Sequence, residues 1–396
     1  MSRRLLIHFT GQDQPGLIHS ITQLLASHGA RILDIGQAVI HQAVALGVLI
    51  EVPADGEAEV TTALAAKARE WNADLRFSSV ADGAYADWVA EQGKHRFILT
   101  VLGTAVGFAH LAEVTGVVAQ AGLNIERIDR LSGRDTERSC IEFGLSSVAV
   151  VDEKALRASF LRISREHGID VAFQHDNAYR RTRRVIAFDM DSTLIQCEVI
   201  DELAKEAGVG EQVAAITEAA MRGELDFPAA FRKRVGLLKG LDEAALERVA
   251  GRIRLMDGAE RLMSTLKRLG YKTAILSGGF TYFGRKLQEK LGFDYLYANE
   301  LDILDGVVTG EIRSEIVDGQ VKARRLQEIA ARENISLEQC IAVGDGANDL
   351  PMIGLAGLGI AFQAKPVVRE RSRHAISSNG LDAILYLIGL RDRDIA

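Results

Sequence analysis

Three short, unbroken apolar runs constrain this chain most: Val185-Ile186-Ala187-Phe188, Thr273-Ala274-Ile275-Leu276 and Cys340-Ile341-Ala342-Val343. A strand with one wet face alternates polar and apolar residues. A continuous run suits a strand covered on both faces, as in a parallel sheet. Long helical patterns separate the runs, so this half reads as strand–helix alternation around a Rossmann-like sheet. Each run leads into a polar motif: Asp189-Met190-Asp191-Ser192-Thr193, Ser277-Gly278-Gly279, and Gly344-Asp345-Gly346-Ala347-Asn348-Asp349, with Lys322 between the last two. Ligands of open α/β sheets bind at the carboxyl ends of the strands. In this order the four motifs describe one phosphate-transfer site. It has a nucleophilic carboxylate, a second carboxylate for acid/base work, a hydroxyl and an ammonium for phosphate, and an acidic loop for a hard metal.

Each motif alone is weak. Asp189 and Asp191 are two residues apart after a strand, and an acidic turn would look the same. Ser277-Gly278-Gly279 offers a hydroxyl and closely approaching backbone N–H groups, an oxyanion cradle at a strand-to-helix turn. Lys322 gains meaning only from its place between the serine and acidic loops. The aspartates of the last motif, with Asn348, supply hard oxygen ligands, and the twelve-residue spacing of a calcium loop is absent.

Residues 200 to 249 are almost wholly helical in pattern and fall between the first two runs, the place for a helical cap over the sheet edge. The N-terminal half is an internal repeat. Arg4 to Gly11 and Arg96 to Gly103 both read as a strand running into glycine, each followed by a helix closing on Gly29 or Gly122. Both copies continue as βαββαβ units of roughly eighty residues, a ferredoxin-like α+β pattern. The expected limits are 1–82 and 94–174, a linker at 175–184, and a catalytic unit at 185–396 with its cap at about 200–250. The basic runs Arg180 to Arg184 and Arg369 to Arg373 read as solvated linker or helix faces.

Net charge is −7, which does not suggest a nucleic-acid partner. The three cysteines, Cys140, Cys197 and Cys340, form no paired spacing and fit a reducing cytoplasm. The N-terminus has no small-residue cleavage site, and the most apolar stretch, near 354–362, is too short to span a bilayer. A cytoplasmic enzyme without a membrane partner is expected.

The four motifs resemble those of the haloacid dehalogenase-like phosphatases across residues 185 to 390. The resemblance implies that Asp189 attacks phosphorus, that Asp191 serves as acid and base, and that Asp189, the Asp191 backbone carbonyl and Asp345 hold Mg²⁺. It also implies that Ser277, Gly278, Lys322 and Asn348 bind the phosphoryl group, with Asp349 orienting Lys322 or a metal-bound water. Glu198 in Cys197-Glu198-Val199-Ile200, and the segment Met221 to Phe227 followed by Phe231 to Val235, resemble phosphoserine phosphatases. There Glu198 would take an α-ammonium and Arg234 an α-carboxylate, with Met221 and Phe227 excluding water; arginine's fork suits a carboxylate. Gly11-Gln12-Asp13-Gln14-Pro15-Gly16 resembles the loop of ACT domains, amino-acid-binding regulatory units. The second copy has Gly103 and Gly107 without the Asp and Pro, and Asn124 where the first has Arg31. The resemblance implies a Mg²⁺-dependent phosphoserine phosphatase that makes L-serine, senses it through the ACT pair, and assembles as a dimer. Transfer to another amino-acid hydroxyl, or a sensor with a dead phosphatase domain, are the alternatives.

Overall fold

The computed structural model describes residues 2–133, 138–222 and 224–395. They form two compact bodies, divided after Lys94.

The first body contains β1 (Ser2–Gln12), α1 (Leu17–Ser27), β2 (Arg31–Ile40), β3 (Ala43–Pro53), α2 (Glu57–Glu70), β4 (Asp74–Val80) and α3 (Asp82–Ala90). The sheet order is β2-β3-β1-β4, with every pair antiparallel. Its core follows the period-two pattern. Leu5, Ile7 and Phe9 of β1 are buried with Leu17, Ile21 and Leu25 of α1. Helix α3, absent from the sequence reading, is held by Arg4, whose guanidinium lies 4.3 Å from the Tyr85 ring and pairs with Asp82. Strand β2 is an edge and exposes Ile32, Ile35, Val39 and Ile40.

The second body opens with β5 (His95–Gly103), α4 (Phe108–Gln120), β6 (Asn124–Arg130), β7 (Ser139–Ser147), α5 (Glu153–His167) and β8 (Asp170–His175). Their order, β6-β7-β5-β8, repeats that of the first sheet. A short helix, α6 (Ala178–Arg181), leads to β9 (Val185–Phe188). Four cap helices follow: α7 (Val199–Glu206), α8 (Gly210–Met221), α9 (Phe227–Gly236) and α10 (Glu243–Arg252). Then come α11 (Ala259–Arg268), β10 (Lys272–Phe280), α12 (Thr281–Leu291), β11 (Tyr295–Asn299) and a hairpin of β12 (Leu301–Leu304) and β13 (Val307–Ile312). The chain continues through α13 (Gly319–Arg332), β14 (Cys340–Gly344), α14 (Leu350–Leu355), β15 (Leu358–Phe362), α15 (Pro366–Arg371) and β16 (His374–Ile376).

The large sheet is wholly parallel, in the order β11-β10-β9-β14-β15-β16. The order reverses between β9 and β14, which creates a crevice at their carboxyl ends. The three apolar runs are the adjacent strands β10, β9 and β14. The hairpin, not foreseen from sequence, pins the cap: Gly240 N–H donates to the Val308 carbonyl and Val308 N–H to that of Leu241, both at 2.9 Å.

The basic segment at 180–184 is not simply a solvated linker. Arg180 and Arg183 are buried. Arg180 pairs with buried Glu142 of β7 at 2.5 Å, and Arg183 donates to Gln174 of β8 at 3.2 Å. Asp170 of β8 accepts from the backbone N–H groups of Ser377 and Ser378 and from Asn379 Nδ2. A charge run reads as solvated only while its partners are unknown, and these lie on the β6-β7-β5-β8 sheet, Glu142 38 residues before Arg180 and Gln174 nine before Arg183. Among the described residues, no helix is long and apolar enough to cross a membrane.

Candidate active site

The register of the parallel sheet assembles the site. Phe188 pairs with Ile275 on one side and Val343 on the other, so the segments after it and after those two residues emerge at the same end. Asp189 lies just past β9, its N–H donating to the Val343 carbonyl at 2.9 Å. The chain then turns tightly, with Ser192 in the left-handed region at φ 55°. That turn lets Asp189 and Asp191 face one pocket.

Lys322, fully buried near the start of α13, reaches Asp189 Oδ2 at 2.9 Å and Asp349 Oδ1 at 2.6 Å. Burial opposes its charge, but Asp189 and Asp349 outweigh burial and hold the ammonium protonated. Burial also drives Asp349 upward. Even so, a 2.6 Å contact with an ammonium is one a carboxylate makes, so the geometry supports an ionised group. Asp349 Oδ2 additionally accepts from Gly346 N–H at 2.9 Å, which closes the acidic loop.

Asp191 is buried without such a cation contact. Burial first, then Glu198 and Asp189, raises its carboxyl well above the ordinary range. Its Oδ1 accepts from the Val199 N–H at 3.4 Å, at the amino end of α7. Glu198 occupies the N-cap position of that helix without a side-chain capping bond. It remains solvent-accessible, although protein closely surrounds it, and it accepts from Ser192 Oγ at 2.7 Å.

Ser277-Gly278-Gly279 lies within β10, not beyond it as expected, in a stretch where the register with β11 shifts between Leu276 and Phe280. A bulge re-aims side chains at a sheet end, and glycine permits it. Ser277 Oγ accepts from Gly279 N–H at 2.9 Å. A methyl on Gly279 would fall 2.5 Å from Met190 Cε and 2.7 Å from Asp191 Oδ2, so the backbone approaches the acid directly. At Gly278 the same atom would lie 3.1 Å from the Phe227 ring, which brings the cap onto this loop.

Arg234 of α9 is half-buried, with Nη1 3.5 Å from Thr217 Oγ1 and its Nε buried without a partner among the described residues. Burial lowers its pKa, while Asp201, Glu198 and Asp191 oppose that shift. Glu198 and Arg234 therefore belong to one electrostatic cluster with the strand-end aspartates. Asn348 is half-buried in the acidic loop. Met221 ends α8, but its side chain lies outside the described residues.

Within the second body, the ACT-loop candidates Gly103, Gly107 and Asn124 are not part of this cluster. In the first body Gly11 packs tightly against Ala73, and Asp13, Gln14 and Pro15 are exposed. Gly16 is left-handed at φ 88°. In the second body Gly103 packs against Ile169, and Asn124 is exposed at the start of β6. Gly107 has extended backbone with open space around it, so nothing in its conformation requires glycine.

Thr193, part of the first motif but given no role there, and Asn299, not singled out from the sequence, support the site. Thr193 Oγ1 donates to Asp345 Oδ1 at 3.1 Å and so links two motifs. Buried Asn299 donates to the Gly278 carbonyl at 2.7 Å and accepts from Val317 N–H at 2.9 Å, which ties the serine loop to the segment before α13. Its place at the end of an apolar run was the available signal.

Asp189, Asp345 and Asp349 present oxygens within 4.8 Å of one another. Among the described residues Asp345 makes no ion pair, and burial, then Asp189 and Asp349, pushes it up to about 7. An undercompensated cluster of oxygen donors fits a hard divalent cation.

Residues 186–354 match the haloacid dehalogenase-like hydrolase family, and residues 3–78 and 95–174 each match ACT domains. The phosphoserine phosphatase of Streptomyces coelicolor is 39% identical over 391 residues, 99% of this chain and 93% of that protein. Phosphoserine phosphatase SerB2 of Mycobacterium tuberculosis is 39% identical over 394 residues, 99% and 94% of the two chains. Among solved structures, a hydrolase of the same superfamily from Salmonella enterica serovar Typhi aligns with a TM-score of 0.65 at 34% identity, covering 74% of this chain and 99% of that one. A probable phosphoserine phosphatase from Vibrio cholerae aligns at 0.60 and 35%, covering 75% and 87%. With two ACT domains ahead of a haloacid dehalogenase-like hydrolase domain, and that likeness along its whole length, the chain belongs to the phosphoserine phosphatase family.

Proposed function

We propose that this chain hydrolyses O-phospho-L-serine to L-serine and phosphate, with Mg²⁺, through an aspartyl-phosphate on Asp189. The observation that carries the chemistry is the contrast between two carboxyl groups of one short motif. Asp189 is ion-paired with Lys322, while Asp191 is buried with its pKa raised. Environments that push two carboxyls apart divide them into nucleophile and acid.

Asp189 attacks phosphorus, and the bond from phosphorus to the serine oxygen breaks. Asp191 gives its proton to the departing alkoxide. Its carboxylate then takes a proton from water, whose oxygen attacks the same phosphorus and releases Asp189. Ser277, the Gly278 backbone, Lys322 and Asn348 hold the phosphoryl oxygens, and Asp349 orients Lys322. Mg²⁺ held by Asp189, the Asp191 carbonyl and Asp345 would neutralise phosphoryl charge and orient the group. Glu198 takes the substrate ammonium and Arg234 its carboxylate, while Phe227 closes the site to water.

In this reading the domains run 1–82, 94–174 and 185–396, joined by 175–184. The enzyme is cytoplasmic and performs the last step of serine synthesis. L-serine binds the loops at Gly11–Gly16 and Gly103–Gly107, with Asn124, and regulates the enzyme. The exposed apolar edge β2 supports dimer formation through the ACT domains. Acid-quenched enzyme should yield a phosphopeptide containing Asp189 in the wild type and none in Asp189→Asn. A phosphopeptide lacking Asp189 overturns the mechanism. Unchanged phosphate release against a panel of other phosphoesters overturns the substrate.

A further inference from the structure

A cavity of about 340 Å³ opens where the second ACT domain meets the hydrolase domain, between α5 and β8 on one side and α15 and β16 on the other. Its volume is at the small end of ligand pockets, which span roughly 300–1,000 Å³. In a chain of net charge −7 its wall is strongly basic: Lys154, Arg157, Arg369, Arg371 and Arg373 all line it.

The two acids on the wall are already engaged. Asp170 accepts from the N–H groups of Ser377 at 2.7 Å and Ser378 at 3.2 Å, and from Asn379 Nδ2 at 2.7 Å. Glu370 pairs with Arg165 at 2.8 Å. The cations are less satisfied. Lys154, Arg371 and Arg373 make no ion pair among the described residues. Arg157 gives one Nη to Glu153 at 2.5 Å, but its Nε is buried without a partner, as are Arg369 Nε and Ser372 Oγ. His374 lies buried beside the cavity on β16. Burial, reinforced by Arg157, Arg183 and Arg373, drives it down to about 3.

Clustered cations repel one another, and the buried donors Arg157 Nε, Arg369 Nε and Ser372 Oγ lack a partner; an anion joining them relieves both costs. Guanidinium forks match the paired oxygens of a phosphoryl group. We propose that this cavity is a binding site for a small phosphoryl-bearing anion, separate from the Asp189 centre, whose bound ligand bridges the second ACT domain and the hydrolase domain. The shared chemistry is the phosphoryl dianion; its source is free phosphate or a phosphorylated metabolite.

The test uses the full chain in EDTA, so turnover plays no part and the outcome is independent of the mechanism assigned to Asp189. Calorimetric titration with inorganic phosphate should reveal a metal-independent site that also raises the melting temperature. Arg371→Ser with Arg373→Ser, both exposed positions, should weaken that site at least tenfold. Lys154→Ser on the opposite wall should weaken it in a separate protein. Acetate should bind at least tenfold less tightly than phosphate. At the site that Arg371→Ser with Arg373→Ser weakens, O-phosphoserine binding more tightly than phosphate identifies a phosphorylated metabolite as ligand; weaker binding there identifies free phosphate. Absence of metal-independent binding, an affinity untouched by all of these substitutions, or equal binding of acetate overturns the proposal.

Discussion

Gly279→Ala adds one methyl at the most crowded point of the site. The new atom would lie 2.5 Å from Met190 Cε, 2.7 Å from Asp191 Oδ2 and 3.2 Å from Ser277 Oγ. The methionine end can swing aside, since thioether chains adapt readily. The Asp191 carboxylate has less freedom because Val199 N–H holds its other oxygen. It must retreat from 2.7 Å to the 3.4 Å or more of ordinary contact. Overpacking of this kind costs about 1–3 kcal/mol of stability. A displacement approaching 1 Å in a group that transfers a proton costs on the order of 10²-fold in rate. The expected variant is folded, melts a few degrees lower and has kcat reduced about 10²-fold on phosphoserine, with a smaller change in KM. Phosphate release gives the kinetics and calorimetry the stability. Gly278→Ala is the control: its methyl crowds the Phe227 ring at 3.1 Å, meets the Val317 carbonyl at an ordinary 3.5 Å and should chiefly alter KM. A folded Gly279→Ala enzyme with kcat within twofold of wild type would refute the close approach of Asp191 to this backbone.

Arg234→Lys should raise KM for phosphoserine by about tenfold or more, with little change for p-nitrophenyl phosphate, because only the former loses a bidentate carboxylate contact; equal losses would make Arg234 a cap-shaping residue. In metal-free protein the raised Asp345 binds a proton in the folded state that the unfolded chain releases near pH 4. Stability should therefore fall as pH rises from about 4 to 7, by up to about 4 kcal/mol, and Mg²⁺ should restore more at pH 8 than at pH 5; a pH-independent melting point in EDTA contradicts this. Glu142→Ala strands the buried Arg180 and should destabilise the second body by about 3–5 kcal/mol while the first body's transition stays in place. A chain beginning at Arg183 would strand that guanidinium without Gln174 and leave Ser377, Ser378 and Asn379 without Asp170, so deletion of the ACT pair is not a clean test of regulation. Gly107→Val is better, because its extended, open position tolerates a side chain: serine inhibition should weaken with kcat near wild type, and full retention places serine elsewhere. Gly16→Val would also strain a left-handed residue, which confuses the outcome.

Local patterns alone carried much of this architecture. The apolar runs of β9, β10 and β14, the glycine stops after α1 and α4, and the twofold βαββαβ repeat follow from periodicity and backbone preference, which neighbouring residues set. The strand-end motifs likewise pointed to one shared cluster, because the carboxyl end of a parallel sheet is where such side chains converge. What periodicity could not show is which distant groups meet. Arg180 and Arg183 read as solvated charges until Glu142 and Gln174 were found opposite them. The hairpin at 301–312 is short and bonded to the cap through Gly240, Leu241 and Glu243. Asn299 matters because it joins Gly278 to Val317 across α12 and the β12–β13 hairpin. The bulge at Ser277 depends on the neighbouring strand's register. A charge or amide has no sign of burial in its own sequence; its energy depends on a partner brought near by packing, and only the tertiary structure decides that partner.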